Sequence, residues 1–501
     1  MQHDITEQSV NSGSPITLLS SLRKSIANST IDSIDTRTIS TIFNNIIKMD
    51  INGIKDDDFV RLIKFCINVA LSFNSVEKSI LALRPLLYLK KYNVEKYAFI
   101  RNILKDYDLT VVDKNDTHKY LCLRYLEIKV DAYMLSSLVP CINELDTNLV
   151  MMVLHDFSLD ELITLQDSLS ILNENKERQT DISILIAHHI KNSSIYQLPS
   201  ISSPQKKQPR IALCLSGQMR GYVDAFKSWQ HSKLLKQYPV DIYISTWDKI
   251  GRKFPSLQHA HRTFGEPFLS EYIAMLNSSS MSILEEKYPN FFSFLTQSDF
   301  VNTDEIKSIY SPRLKSIKCI SEDALFFELE NNQMRMFYQI QECFNLVDEE
   351  YDIIIRCRPD KPMQNDGQID WDRIFTIAME NNILFSDVST FIHPYAGYGM
   401  GDQFALGNSH TMRIYCNSFS SLQHEQCLAR RVYPPYYPHN SLAAHLAEQD
   451  IAITTIPGLK FWSLRDPIKF SDDDILKEIM IDIKSRSEFK FDSILTTALT
   501  R

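Results

Sequence analysis

The chain contains no run of about eighteen consecutive apolar residues, and this absence sets the first limit on its class. A helix that spans a bilayer needs such a run, so the sequence predicts no transmembrane segment. The first residues, Met1 to Asp4, also lack the basic cap and apolar stretch of a secretory signal peptide. We therefore expect a cytoplasmic protein, whose contact with the inner face of a membrane would be peripheral.

Positive charge is also in short supply. The 53 Lys and Arg residues are outnumbered by 62 Asp and Glu residues, which gives a formal net charge of −9. Nucleic-acid binding needs a dense basic surface that neutralises phosphates, so we expect no nucleic-acid partner. A local basic cluster could still hold one diphosphate.

The nine cysteines form no C-x-x-C pair and are scattered through apolar stretches. An odd, unpatterned set of this kind is typical of reduced core residues in a cytosolic protein. The sequence therefore does not predict a disulfide framework.

Glycine is almost missing from the first two hundred residues, where Gly53 is the only one between Gly13 and Gly217. Apolar residues in this part recur at helical spacing, as in the stretch 59–71 that follows Asp58. The sequence predicts an all-α domain over residues 1–195, which would dock an acceptor or partner or serve a structural role.

Two residue pairs in this part have the spacing of a capping box, Asn74 with Glu77 and Ser158 with Glu161. In that motif the first side chain accepts from a free amide and the acid reaches back, so each pair predicts a helix start. No fixed repeat period is present. We therefore favour an irregular helical domain, with a solenoid of repeats as the alternative.

A segment rich in proline, serine and lysine, residues 196–209, separates this part from the rest and is typical of a linker. A predicted strand at 211–215, a helix and a second strand at 240–248 follow it. Strand, helix and strand in this order predict a parallel sheet. We expect an α/β domain over residues 210–470 and a helical tail over 471–501.

The stretch Tyr351–Asp360 predicts the central strand of that sheet. A β-branched run at 353–355 is typical of a strand covered on both faces, and Pro359 should end it. Arg356, Arg358 and Asp360 would then lie on one side of the strand at its carboxyl edge. Open α/β sheets bind their ligands at that edge.

Two further segments flank this stretch: C-L-S-G-Q-M-R at residues 214–220 and D-Q-F-A-L-G at residues 402–407. With R-C-R-P-D at 356–360 between them, they resemble a group of bacterial glycosyltransferase-like proteins of surface-polysaccharide synthesis, such as capsule or lipopolysaccharide. The resemblance runs from about residue 210 to about residue 458. It implies a GT-A-like, Rossmann-like mixed sheet, here preceded by the all-α domain.

GT-A enzymes hold a divalent metal against the donor diphosphate with a D-x-D at the end of a central strand. In this chain the first acid is missing, and Asp360 alone would bind Mn²⁺ or Mg²⁺. Arg356 and Arg358 could instead clamp the phosphates by bidentate hydrogen bonds as the nucleotide leaves. The alternative is that the three residues form a structural ion-pair cluster.

Further donor-site candidates follow the first two strands. After the first strand they are Ser216, Gly217, Gln218 and Arg220, where glycine permits a positive φ and the other side chains are polar. After the second strand, the resemblance implies that Trp247 and Asp248 lie close to the donor. Trp247 could stack on a base, or it could be a core aromatic.

Asp402 is the candidate general base, because inverting glycosyltransferases often keep an acid at this place to deprotonate the acceptor hydroxyl. Aspartate before a strand is also a common turn residue. The glycine-rich segment 397–401 predicts a turn that lets a substrate approach the backbone, although it lacks the lysine of a phosphate-binding P-loop. Asp360 is the second candidate catalytic residue.

Together these features predict a glycosyltransferase that moves a sugar from a nucleotide-sugar donor to a glycan or lipid-linked acceptor. One alternative is a protein-modifying glycosyltransferase whose helical domain docks a polypeptide. Another is a non-catalytic module that binds a nucleotide sugar. All three require the cluster Arg356, Arg358 and Asp360 to lie near Ser216 and Asp402, beside a cavity.

Overall fold

The computed structural model describes residues 56–72, 78–79, 82–83, 85–87, 100–105, 117–127, 130–136, 147–175, 181–195, 208–250, 255, 260, 263–297, 299–324, 332–364, 366–393, 397–434, 436–461 and 471–500. The chain divides into two compact units, Met1–Ile182 and Ser183–Arg501. The predicted capping box of Asn74 and Glu77 and most of the predicted linker lie outside the described residues.

The first unit is helical throughout its described residues. The helices with defined bounds are α1 (Asp56–Ser72), α2 (Thr117–Glu127), α3 (Ala132–Ser136), α4 (Thr147–Leu154) and α5 (Leu159–Asn175). The capping box before α5 is confirmed: the Ser158 amide donates to Glu161 Oε2 at 2.7 Å, and the Glu161 amide donates to Ser158 Oγ at 3.3 Å.

The next helix, α6 (Asp181–Ser194), crosses the division, and most of it belongs to the second unit. The sequence predicted a domain boundary after residue 195, and the contacts divide the chain earlier. The reason is a set of buried polar bonds: His188 Nε2 bonds the Ile451 carbonyl at 2.7 Å, and Asn192 Oδ1 accepts from the Ile453 amide at 2.9 Å.

The second unit is a mixed α/β unit. Its described strands are β1 (Ile211–Ser216), β2 (Val240–Trp247), β3 (Lys249–Ile250), β4 (Asp299–Phe300), β5 (Leu314–Ile320), β6 (Ile353–Cys357), β7 (Met363–Gln364), β8 (Ile383–Ser386), β9 (Phe391–His393), β10 (Gly397–Gly399), β11 (Phe404–Asn408), β12 (Ala452–Thr455) and β13 (Lys460–Phe461).

Helices pack around these strands. In chain order they are α7 (Tyr222–His231), α8 (Lys233–Gln237), α9 (Phe268–Ser278), α10 (Met281–Lys287), α11 (Pro289–Thr296), α12 (Thr303–Tyr310), α13 (Asn332–Phe344), α14 (Trp371–Glu380), α15 (Ser409–Cys416), α16 (Ser418–Ser421), α17 (Leu428–Val432), α18 (Pro438–Glu448), α19 (Asp472–Lys484) and α20 (Asp492–Thr500).

Seven strands form the main sheet, in the order β12-β8-β11-β6-β1-β2-β5. Strand β11 is antiparallel to β6 and β8, and the other neighbouring pairs are parallel. The predicted central strand is confirmed as β6, whose five residues are all buried between β1 and β11. Burial on both faces explains its β-branched run, because apolar side chains are needed on each side.

The strand directions decide which residues meet at the edge of the sheet. The carboxyl ends of β1, β6, β8 and β12 share one edge, and the amino end of the reversed β11 lies at the same edge. In the register, Phe404 lies opposite Cys357 and Ala405 lies opposite Ser386. Residues that precede β11 are therefore neighbours of residues that follow β6 and β8.

The predicted glycine-rich turn is instead strand β10, which pairs antiparallel with β9. Its glycines serve close packing inside the protein: a Cβ built on Gly399 would lie 2.8 Å from the Phe391 ring. The prediction of a turn for substrate was wrong here, because the side chains that approach this backbone belong to the same chain.

The predicted tail is helical, as α19 and α20, and it packs with α9 and α11 around a separate apolar core. Asp482 is buried there and accepts from the amides of Asn290 at 3.0 Å and Phe291 at 2.9 Å. It thereby satisfies free amides in the first turn of α11. The tail is thus an integral part of the second unit.

Candidate functional site

Arg356 is the buried link between three elements at this edge. Its side chain is 1% exposed, its Nε donates to Ser216 Oγ at 3.0 Å, and its Nη1 donates to the Asp402 carbonyl. The guanidinium therefore joins the end of β6 to the end of β1 and to the segment before β11. Because these donors are used inside the protein, Arg356 holds the edge together rather than presenting a free fork to a ligand.

Arg358 and Asp360 form a bidentate ion pair. Arg358 Nε donates to Asp360 Oδ1 at 2.9 Å and Nη2 donates to Oδ2 at 2.6 Å. Burial lowers the pKa of Arg358, but the charges of Asp360 and Asp402 and the hydrogen bonds raise it overall, so the guanidinium stays charged. The Arg358 side chain is 40% exposed and that of Asp360 is 12% exposed. A ligand can reach the pair, but it must compete with an existing partner.

The turn after β1 packs against the same segment. Gly217 has a φ of 124°, a conformation that favours glycine, and a Cβ built there would lie 3.9 Å from Pro359 Cδ. The Gly217 amide donates to the Ser245 carbonyl at 3.1 Å. Arg220 donates to the Gln218 side-chain carbonyl, so these two candidates contact each other.

Trp247 and Asp248 take part in packing at the end of β2. Trp247 is 4% exposed and stacks on the Tyr338 ring with centroids 6.1 Å apart, as expected for the core-aromatic alternative. Asp248 Oδ1 accepts from the Glu322 amide at 2.9 Å. Neither residue lines the cavity described next.

An open cavity of about 590 Å³ lies at this edge of the sheet, where its wall includes Lys361, the residue that follows Asp360. Its lining combines two lysines, one acid, one amide and an apolar wall; the residues are Lys361, Asp387, Val388, Gln403, Leu459, Lys460 and Phe461. A mixed charged and apolar lining of this kind is typical of a site for a polar organic ligand.

Asp387 is the functional candidate that the sequence reasoning missed. Its Oδ1 accepts from the amides of Gln403 at 3.1 Å and Phe404 at 3.2 Å. Burial raises the pKa of Asp387, the Gln403 amide opposes this, and the negative charge of Asp402 raises it further. The available signal was an acid shortly after the apolar run at 383–385, a pattern similar to the one that pointed to Asp360.

Lys361 also lines the cavity and interacts with the charge of Asp387. Lys361 is only 2% exposed. Burial and the positive charge of Arg358 lower the pKa of its ammonium group, and the negative charges of Asp360 and Asp387 partly oppose this change. The cavity wall therefore includes a lysine whose charged form is disfavoured by burial and favoured by two neighbouring carboxylates.

Asp402 is 8% exposed, and its Oδ1 lies 3.9 Å from His439 Nδ1, which bonds the Met400 carbonyl at 2.8 Å. Its backbone carbonyl is held by Arg356. The predicted base is thus at the same edge as Arg358 and Ser216, but its position is set by an internal contact.

The residues at this edge do not fit the divalent cation that the resemblance implies. Among the described residues, no group of three or more His, Cys, Asp or Glu side chains is arranged to hold a metal ion. Asp360, the predicted ligand, has both oxygens engaged by Arg358. No step of the chemistry is therefore assigned to a metal.

Comparison of the chain with models of protein families, with curated proteins and with solved structures found no match. A search of the described residues for a helix long and apolar enough to cross a membrane also found none.

Proposed function

We propose that this protein is a glycosyltransferase that moves a sugar from a nucleotide-sugar donor to a glycan or lipid-linked acceptor. One observation carries the proposal: Ser216, the Arg358–Asp360 pair and Asp402 converge at the edge of an open sheet where ligands bind. The chain neighbours of Asp360 and Asp402, Lys361 and Gln403, line a cavity there. The three sequence segments that resemble surface-polysaccharide glycosyltransferases are the segments that meet there.

The fold supports a GT-A-like assignment. Four neighbouring strands of the sheet lie in the order β5-β2-β1-β6. Counted along the chain within the main sheet, these are its third, second, first and fourth strands, which is the 3-2-1-4 order of a Rossmann-like fold. The reversed β11 then makes the sheet mixed. This is the sheet type that the resemblance implies, and the proposal extends to a cytoplasmic role in surface-polysaccharide synthesis.

The charges suit the leaving group. A nucleoside diphosphate gains negative charge as the glycosidic bond breaks, and a transferase must stabilise that charge. The planar guanidinium of Arg358 can exchange the Asp360 carboxylate for a phosphate, which it can bind through two hydrogen bonds. The ammonium group of Lys361 is a second cation next to it. The pairing of Asp360 with Arg358 keeps the fork oriented before the donor binds.

The test begins with thermal unfolding of the purified chain against a panel of nucleotide sugars, with and without Mn²⁺. The donor that stabilises the chain is then used in assays of nucleotide release. We expect Asp360→Ala to impair transfer, because Arg358 loses the carboxylate that orients it, and Arg358→Ala to weaken donor binding. The matched control is Arg210→Ala, which removes an exposed arginine paired with Glu349 at the opposite edge of the sheet and should leave both unchanged. Wild-type turnover by both site variants would refute the proposal.

A second candidate is a module that binds a nucleotide sugar without turnover. It is favoured by the engagement of both Asp360 oxygens and of the Arg356 donors within the protein. Calorimetric binding of a nucleotide sugar, together with no nucleotide release in the presence of any acceptor, would support this candidate over the enzyme.

A further inference from the structure

The carboxylate of Asp387 is positioned more rigidly than a surface acid. Its hydrogen bonds to the Gln403 and Phe404 amides end on one oxygen, Oδ1. The backbone of Gly401 closes over it: a Cβ built on that glycine would lie 2.4 Å from Oδ1 and 2.6 Å from the Val388 amide nitrogen. Only glycine fits there, so the close approach of the two segments is built into the sequence.

Two further hydrogen bonds, one of them from a side chain, join these segments. The Gly401 amide donates to the Val388 carbonyl at 3.0 Å, and Ser386 Oγ donates to the Gly401 carbonyl at 3.2 Å. The carboxylate is therefore held at the wall of the cavity, with Oδ1 fixed by the Gln403 and Phe404 amides.

The rest of the wall indicates the class of ligand. A carboxylate accepts hydrogen bonds and cannot donate them, so it pairs with a donor such as a hydroxyl. Gln403, Lys361 and Lys460 also line the wall with polar groups, and Val388, Leu459 and Phe461 give an apolar surface. A sugar presents hydroxyl groups and apolar C–H faces, which match both parts of this lining.

We infer that this cavity is the acceptor subsite of the transferase, that its ligand is a hydroxyl compound of the sugar class, and that Asp387 is the catalytic residue that removes the hydroxyl proton. This inference rests on the proposed function. It assigns the proton transfer to Asp387 rather than to Asp402, which does not line the cavity.

The reaction balances without a further reactant. The acceptor O–H bond breaks and its proton passes to the Asp387 carboxylate, while the acceptor oxygen forms a bond to the anomeric carbon of the donor. The bond from that carbon to the diphosphate oxygen breaks, and the nucleotide leaves with the electron pair towards Arg358 and Lys361. Because the acceptor oxygen displaces the nucleotide in a single step from the opposite face, the reaction inverts the anomeric carbon.

The pH dependence follows from the surroundings of Asp387. The charged and titratable groups that face it are Asp402, Lys361, Lys460, Cys357 and Tyr415. Burial and the Asp402 charge raise the pKa of Asp387, so the activity should fall on the acid side at a pH above that of an ordinary aspartate. Removing the Asp402 charge should move this fall to lower pH.

The experiment uses the full chain and water as the acceptor, with nucleotide release from the stabilising donor as the readout. Asp387→Asn keeps an oxygen for the two amides, so we expect it to fold and to bind the donor as the wild type does. Its kcat should fall about 10²- to 10⁴-fold, the usual contribution of a general base. The decrease in activity at acid pH that the Asp387 carboxylate causes in the wild type should disappear. Asp402→Asn should still lose activity at acid pH, but at a lower pH than the wild type.

The matched control is Asp450→Asn, a change at an exposed carboxylate at the amino end of β12, where φ is 51° and asparagine is tolerated. It should leave kcat and the pH profile unchanged. The inference would be overturned, while the proposed function stands, by either of two results. One is a wild-type pH–activity profile for Asp387→Asn, and the other is an Asp402→Asn variant whose activity no longer decreases at acid pH. Failure of the wild type to consume any nucleotide sugar would overturn both.

Discussion

Lowering the pH should destabilise the second unit through His188, because this ring is held neutral where α6 meets β12. The residue is 4% exposed; Nδ1 lies 2.6 Å from the Tyr398 hydroxyl and Nε2 lies 2.7 Å from the Ile451 carbonyl. Burial lowers the pKa of His188 from 6.5 to about 4. The hydrogen bond to the Ile451 carbonyl opposes this decrease, and the positive charge of Lys191 adds to it. The folded chain therefore binds a proton at this site less readily than the unfolded chain.

The sign follows from that difference. A histidine with a lowered folded pKa contributes stability that is fully present above about pH 6.5 and is lost as the pH falls towards 4. A shift of about 2.5 pKa units corresponds to about 3 kcal/mol, of which about 2 kcal/mol is lost between pH 7 and pH 5.

The assay compares urea unfolding of the wild type and His188→Gln at these two pH values. Tryptophan fluorescence reports on the second unit, because all four tryptophans of the chain follow residue 228. Glutamine keeps a donor and an acceptor but does not titrate, so it should be less stable than wild type at pH 7 and should regain about 2 kcal/mol relative to it at pH 5.

The control is His424→Gln, the same change at an exposed histidine, whose unfolding curve should follow that of the wild type at both pH values. If the difference in unfolding free energy between His188→Gln and wild type is the same at pH 5 as at pH 7, the reasoning is refuted.

Two other predictions concern the edge of the sheet. Arg356→Met should destabilise the second unit by about 1–3 kcal/mol for each buried acceptor left without its donor, measured by urea unfolding; an unchanged midpoint would contradict its linking role. Gly401→Ala should cost about 1–3 kcal/mol, because its Cβ would lie 2.4 Å from Asp387 Oδ1. Gly367→Ala, whose Cβ meets nothing within 4 Å, is the control and should unfold close to wild type.

The regular elements of the second unit were largely readable from local sequence. The predicted strands at 211–215 and 240–248 correspond to Ile211–Ser216 and Val240–Trp247 in the structure. Continuous apolar runs bounded by proline or glycine carry this information within a few residues, so no distant contact is needed to read it.

Part of the candidate site was also readable, because parallel strands bring their carboxyl ends to one edge. That rule predicted that the residues after β1 and β6 would meet, and Arg356 does contact Ser216. The same rule did not reveal how the charges are used. Pairing of Arg358 with Asp360 depends on rotamers and on the local turn, which the one-dimensional spacing does not specify.

Asp387 was missed because its role depends on a strand that runs the other way. Its amide partners, Gln403 and Phe404, lie at the start of β11, and they reach it because β11 is antiparallel to β8. The direction of a strand is set by how the sheet closes around it. An apolar run of five residues reads equally well in both directions.

The amino-acid sequence by itself determined strands β1, β2 and β6, the capping box before α5 and the placement of charges at the end of β6, because each depends on neighbours along the chain. Tertiary structure alone decided that α6 joins the second unit, since His188 and its carbonyl partner are 263 residues apart. It also decided that Gly401 makes room for Asp387 and that the cavity lies at Lys361, because contacts between distant segments are fixed only when the whole sheet packs.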